Sequence, residues 1–188
     1  MIRCWPTTDE GYLRYHDEEW GRPVRDERGV YERLCLEGFQ SGLSWLTVLR
    51  KRPALREGFA GFDPDRVALF GDSDVARLLA DAGIIRHRGK IDAVIANARA
   101  TVALREAGEA LQELFWAHAP APSPAPETQG DWRSSTPESA ALASRLRRAG
   151  FRFVGPTTLH AAMQACGVVN DHLAGCWVRG DVERERCL

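Results

Sequence analysis

The chain has 188 residues and a formal net charge of −1, with 25 basic against 26 acidic side chains. That length suffices for one compact unit with a sizeable core, and so even a charge balance does not by itself point to a polyanionic partner. The start, "MIRCWPTTDEGY", has no apolar signal-like core, and no stretch approaches the roughly 18 apolar residues of a membrane span, so a cytoplasmic protein with no membrane association is expected.

Helix punctuation dominates along the chain. The run 30–52, "VYERLCLEGFQSGLSWLTVLRKR", carries apolar residues at helical spacing and is expected to stop at Pro53. In "FDPDRVALF", Asp63 reads as a cap and Pro64 as the first helical residue. "SDVARLLADAG" is expected to run from a Ser73 cap to Gly83, and "KIDAVIANARATVALREAG" to end at Gly108. Residues 119–135 begin as a Pro/Ala-rich surface loop, "APAPSPAPETQG". Thr136 and Pro137 then open a helix that Gly150 stops, and "FRFVG" leads into a short helix beginning at Pro156. Strand patterns are scarce. The expectation is an all-α unit spanning 1–188, closed by packing its two ends together.

Five cysteines in a reducing compartment point to metal rather than disulfides. In "NDHLAGC", His172 and Cys176 would share one face of a helix. Cys4 and His16, in a segment too short to pack alone, would complete a Cys2His2 set if the two ends meet. The alternative is that the ends stay apart and the short H-x3-C spacing is incidental. Four protein donors would fill a tetrahedral zinc ion and leave no position for water, which makes such a site structural.

Tyr12, Tyr15 and Trp20 surround His16 and three acids in "GYLRYHDEEWG", and Glu37 lies in the apolar run two turns before Trp45. A carboxylate there either reaches solvent or belongs to an aromatic-walled pocket suited to a planar cation. Only Lys51 and Lys90 are lysines among the 25 basic residues. Arginine suits phosphate and aromatic faces, although genome composition explains such a bias equally well. Arg86, Arg88 and Lys90 crowd one interhelical turn, while Arg145, Arg147, Arg148 and Arg152 precede the helix opened by Gly155. Solvated charge and phosphate binding at helix N-termini are the two readings of these turns.

Together "YHDEEWG", "LEGFQSGLSW", "AGIIRHRGKI", "GFRFVG" and "QACGVVNDHLAGC" closely resemble the DNA-3-methyladenine glycosylase I family of the helix-hairpin-helix glycosylase superfamily. The resemblance runs from Cys4 to Cys176 and is weakest in the Pro/Ala loop. It implies a structural Zn2+ on Cys4, His16, His172 and Cys176, tethering segments 1–20 and 167–188. It implies a base pocket of Glu37, as the catalytic residue, with Tyr12, Tyr15, Trp20 and Trp45. Leu43 would lie near the gap left by an extruded nucleotide, with Arg86, Arg88, Lys90, Arg152 and Gly155 against the DNA backbone.

The implied activity is excision of 3-methyladenine from alkylated double-stranded DNA by a monomer, with the free base as product and no lyase step. Where the wider superfamily carries a catalytic aspartate, this sequence places Asn170, with Asp171 one residue on. A zinc-stabilised lesion binder without excision activity is the alternative.

Overall fold

The computed structural model describes residues 2–187, and among them no strand occurs and no helix is long and apolar enough to cross a membrane. Ten α-helices follow one another: α1 Glu10–Glu18, α2 Glu27–Gln40, α3 Trp45–Gly58, α4 Pro64–Ala68, α5 Asp72–Ala80, α6 Arg88–Glu106, α7 Leu111–Ala117, α8 Pro137–Arg148, α9 Pro156–Ala165 and α10 Arg179–Arg186. Side-chain caps start most of them, because the first N–H groups of a helix have no internal partner. Asp9 accepts from the Tyr12 N–H at 3.0 Å, Asp26 from Gly29 at 2.8 Å, and Asp63 from Asp65 at 3.0 Å ahead of Pro64. Thr136 caps α8 through the Ser139 N–H, with Pro137 in the first position.

Helix α2 is the axis of the fold and packs against α3, α6, α7 and α9. Tyr31, Leu34, Leu36 and Phe39 on α2 are fully buried with Phe59, Phe62, Leu78, Ile91, Leu111, Phe115 and Leu142. Each such side chain contributes roughly 1.5–3 kcal/mol by leaving water. Helices α8 and α9 form a hairpin laid on α2.

Three expected boundaries differ. The run 30–52 is two helices, broken over Ser41–Ser44. Gly42 takes a left-handed φ of 78° there, and Ser44 caps α3 by accepting from the Thr47 N–H at 3.2 Å. Pro53 does not end α3; it sits inside the helix on its exposed side, where the ring meets solvent. Helix α5 is capped at Gly71, whose N–H donates to Asp74, and it ends at Asp81 rather than Gly83. Finally, His172 to Cys176 is an irregular turn ahead of α10, not a helix.

The chain ends meet as expected. The Val24 N–H donates to the Cys166 carbonyl at 2.9 Å, and the Trp177 N–H to the Ile2 carbonyl at 3.2 Å. Their approach is so close that a Cβ on Gly167 (φ 74°) would lie 2.6 Å from the Gly21 carbonyl oxygen. Only glycine fits there.

Candidate functional site

The seam between the ends buries four metal-type ligands. The donor atoms of Cys4, His16, His172 and Cys176 all lie within 4.8 Å of one another. Cys4 Sγ is 3.3 Å from His172 Nδ1, and Cys176 Sγ is 3.4 Å from His172 Nδ1 and 3.6 Å from His16 Nε2. Sulfur and nitrogen on adjacent corners of a tetrahedral zinc site stand about 3.5 Å apart, given ordinary bond lengths.

The outer partners fit as well. His16 Nδ1 lies 2.8 Å from Asp17 Oδ1, and His172 Nε2 lies 2.9 Å from the Trp20 carbonyl oxygen. Each ring thereby turns its other nitrogen toward the cluster, the arrangement that orients metal-bound histidines. Arg3 and then His16 hold the Asp17 carboxyl down to about 2. Burial pushes the Cys4 thiol up to about 12 and the His172 ring down to about 4, favouring the neutral form of each. Four buried donors in this geometry can hold a metal ion. His172 and Cys176 occupy a turn rather than one helical face, His16 comes from α1, and the end of the Pro/Ala loop braces Cys4, since Gln129 Nε2 donates to the Cys4 carbonyl at 2.7 Å.

A row of aromatic rings leads away from this cluster. The Trp5 ring lies 4.7 Å from His16, 5.0 Å from Trp20 and 5.1 Å from Tyr12, while Tyr15 packs 5.0 Å from Trp45. Trp132 closes the cluster end, 5.9 Å from Trp20, with its Nε1–H donating to the Asp171 carbonyl at 2.8 Å. Trp20 therefore belongs to the metal end of the row, whereas Tyr12, Tyr15 and Trp45 line its other end. Sequence reasoning passed over Trp5 and Trp132; the adjacency of Trp5 to a ligand cysteine was the available signal for the first, and Trp132 offered none.

Glu37 sits beside Tyr12 and Tyr15, close enough for its charge to raise both phenols after burial itself has done so. It is 7% exposed and, among the described residues, no hydrogen bond or charge acts on its carboxyl. Burial alone pushes its carboxyl up to about 8. Nearby, Trp45 Nε1 and Trp5 Nε1 are also buried without a partner. Buried polar groups are normally paired, and an unpaired one marks strain or a site. Glu37 on α2 and Trp45 on α3 lie on either side of the break at Ser41–Ser44, and both neighbour Tyr15.

Lys90 was expected on the phosphate-facing surface, but its ammonium turns inward and donates to the Phe39 and Ser41 carbonyls at 2.9 and 2.6 Å, fixing the end of α2. Arg86, Arg88 and Arg152 are exposed. Leu43 is 41% exposed at the tip of the break, and Gly155 opens α9 with no side-chain cap on the helix N–H groups. Asn170 is committed elsewhere, its Nδ2 donating to Glu183 at 2.8 Å. Asp171 accepts from Gln164 at 2.6 Å and lies 3.4 Å from His160 Nε2.

An all-helical chain whose buried carboxyl lies beside aromatic rings and near basic turns has the chemistry to hold a flat, electron-poor ring. The particular lineage follows from comparison: the profile of the methyladenine glycosylase family matches residues 5–179, and the chain belongs to that family. It is 48% identical to DNA-3-methyladenine glycosylase 1 of Escherichia coli over 94% of this chain and 96% of that protein. It is 40% identical to DNA-3-methyladenine glycosylase of Haemophilus influenzae over 93% and 96%. A tyrosine-to-phenylalanine variant of 3-methyladenine DNA glycosylase I, solved in complex with 3-methyladenine, matches with a TM-score of 0.90 and 31% identity over 95% of this chain and 98% of that one.

Proposed function

We infer that the chain is a DNA-3-methyladenine glycosylase, a hydrolase that starts repair of alkylated DNA by releasing 3-methyladenine. The observation that carries this reading is Glu37, buried and unpaired against Tyr12, Tyr15 and Trp45 in a chain of this family. N3-methylation makes adenine cationic and weakens its bond to the sugar, so no strong general acid is needed.

The cost of extruding the nucleotide is roughly a few kcal/mol and is lower for a damaged base. Once inside, the cationic ring supplies the counter-charge that Glu37 lacks. The carboxyl then ionises and accepts from the N–H groups of the base, while the aromatic faces attract its positive charge. Neutral adenine brings no such compensation and leaves a costly buried acid, which is the basis of selectivity. Water attacks C1′ as the C1′–N bond breaks. The bonding electrons stay with the base and cancel its charge, and the water's second proton leaves to solvent.

Both lysine ammonium groups are committed, Lys90 as above and Lys51 to the Ala82 and Gly83 carbonyls at 3.0 Å each. No lysine is left to form a Schiff base, which supports hydrolysis without strand cleavage. Arg86, Arg88, Arg152 and the open N-terminus of α9 at Gly155 would hold the phosphates, with Leu43 entering the gap. Zinc is the metal that two cysteines and two histidines suit best, and with four protein donors it would act as scaffold rather than catalyst. The protein would work as a cytoplasmic monomer on duplex DNA.

The test is release of free 3-methyladenine from methylated duplex DNA by the purified, metal-loaded chain. A folded protein that binds the duplex and releases nothing would leave lesion binding as its function.

A further inference from the structure

The hairpin between α8 and α9 contains an oddity. Phe153 adopts φ 55°, a left-handed conformation that a bulky side chain rarely takes. A two-point clamp enforces it next door: the Arg152 N–H donates to Asn97 Oδ1 at 2.7 Å, and Asn97 Nδ2 donates back to the Arg152 carbonyl at 3.2 Å. Asn97 is itself buried on α6. The strain does not serve burial, because Phe153 is 42% exposed.

Its surroundings are informative. The Phe153 Cβ lies against Gly38, the residue after Glu37, and its ring stands edge-on to His87 at 6.5 Å. His87 lies between Arg86 and Arg88, so Phe153 joins the two basic turns at the end of α2. The exposed guanidinium groups of Arg86 and Arg152 have no hydrogen bond or ion pair among the described residues. Lys90, which pins the turn bearing Leu43, lines one small cavity with Phe153, Gly38 and Phe39. Two exposed apolar side chains, each on a rigidly held tip, thus flank the helix end that carries Glu37, inside a collar of uncommitted arginines.

A ligand matching this surface alternates flat apolar faces with negative charge, which describes nucleic acid. We propose that Phe153 is a DNA-contacting residue that stacks on a base of the duplex next to the extruded nucleotide, on the side of the pocket opposite Leu43. This rests on the glycosylase reading and assigns the hairpin an apolar contact with the bases as well as its phosphates. The clamp by Asn97 pre-orders the backbone that carries the ring, so less freedom is lost on binding.

Glycine relaxes a left-handed backbone, so Phe153→Gly separates the ring from the fold. With a duplex carrying a tetrahydrofuran abasic analogue as probe, Phe153→Gly should bind about tenfold more weakly than the parent chain. Its Tm and its affinity for free 3-methyladenine should stay at parent values. Phe153→Tyr, which keeps the stacking face, should bind within about twofold of the parent. Parent-like duplex affinity in Phe153→Gly would overturn the proposal, as would an equal loss in Phe153→Tyr. If the parent releases no 3-methyladenine from methylated DNA, the glycosylase reading fails on that result, while the affinity series still decides the role of Phe153.

Discussion

The metal cluster and the Glu37 pocket share one aromatic row and one seam, yet they treat buried polarity in opposite ways. Around Cys4, His16, His172 and Cys176 each outward-facing histidine nitrogen has a partner, and each inward donor is aimed at a common centre. At Glu37 the carboxyl is nearly as hidden and, among the described residues, has no partner. A saturated set of buried groups holds a structure together. An unsaturated one leaves a demand that an incoming molecule can meet, which is why the proposed base pocket is placed there.

If this contrast is right, breaking the saturated set should cost stability, and breaking the unsaturated one should cost activity alone. The largest effect is expected from Cys176→Ala or from stripping the metal with a chelator. Either should destabilise the fold by more than about 5 kcal/mol and lower Tm by at least about 10 °C, followed by thermal melts with metal content measured alongside. A stripped protein that stays folded but loses activity would make the metal catalytic and undo the comparison.

Next comes Glu37→Gln, for which release of 3-methyladenine should fall about a hundredfold or more while stability rises. The sign follows from the carboxyl's value of about 8 in the fold against 4.5 in the open chain. Between those limits the folded state holds the proton that the unfolded state has lost, so the parent loses stability as pH rises through this window. Glutamine escapes that penalty. Its advantage should be absent below about pH 4.5 and reach roughly 2–4 kcal/mol above about pH 8, read from denaturant melts across pH. A flat difference would show Glu37 to be ionised and paired after all.

The smallest effect sharpens the contrast with a second saturated set. Arg52 donates to Glu32 at 2.9 Å and Glu19 at 2.6 Å, tying the end of α1 to α2 and α3, and Glu32 also accepts from Arg56 at 2.7 Å. Arg52→Met should cost about 2 kcal/mol by leaving buried Glu32 with Arg56 alone and Glu19 without its guanidinium partner, with single-turnover excision at the parent's rate. A large loss of rate at unchanged stability would place Arg52 in the chemistry.

Much of this was legible in the residues. Asp63 with Pro64, and Thr136 with Pro137, mark helix starts by local chemistry that the fold then uses. Glu37 stood out because a carboxylate interrupted an apolar helical pattern. The break between α2 and α3 was hidden because apolar spacing continues across Ser41–Ser44, and the signals that mattered were the left-handed Gly42 and the Ser44 cap. The inward turn of Lys90 was illegible, since its partners are carbonyls about fifty residues away, and carbonyls have no sequence identity. Trp132 was illegible because its role comes from rings that only the closed seam brings near, whereas Trp5 stood next to a ligand cysteine and could have been read.

That seam also has a meaning in time. Cys4 and His172 are separated by 168 positions in the chain, and Gly167 packs tightly against Gly21 on the same seam. During synthesis, at roughly 5–20 residues per second, the segment bearing Cys4, Trp5 and His16 leaves the ribosome first and finds its ligand partners last. A prematurely terminated chain could not close the cluster or seat Trp5 in its aromatic row. The cluster is thereby completed only when nearly all of the protein has been made.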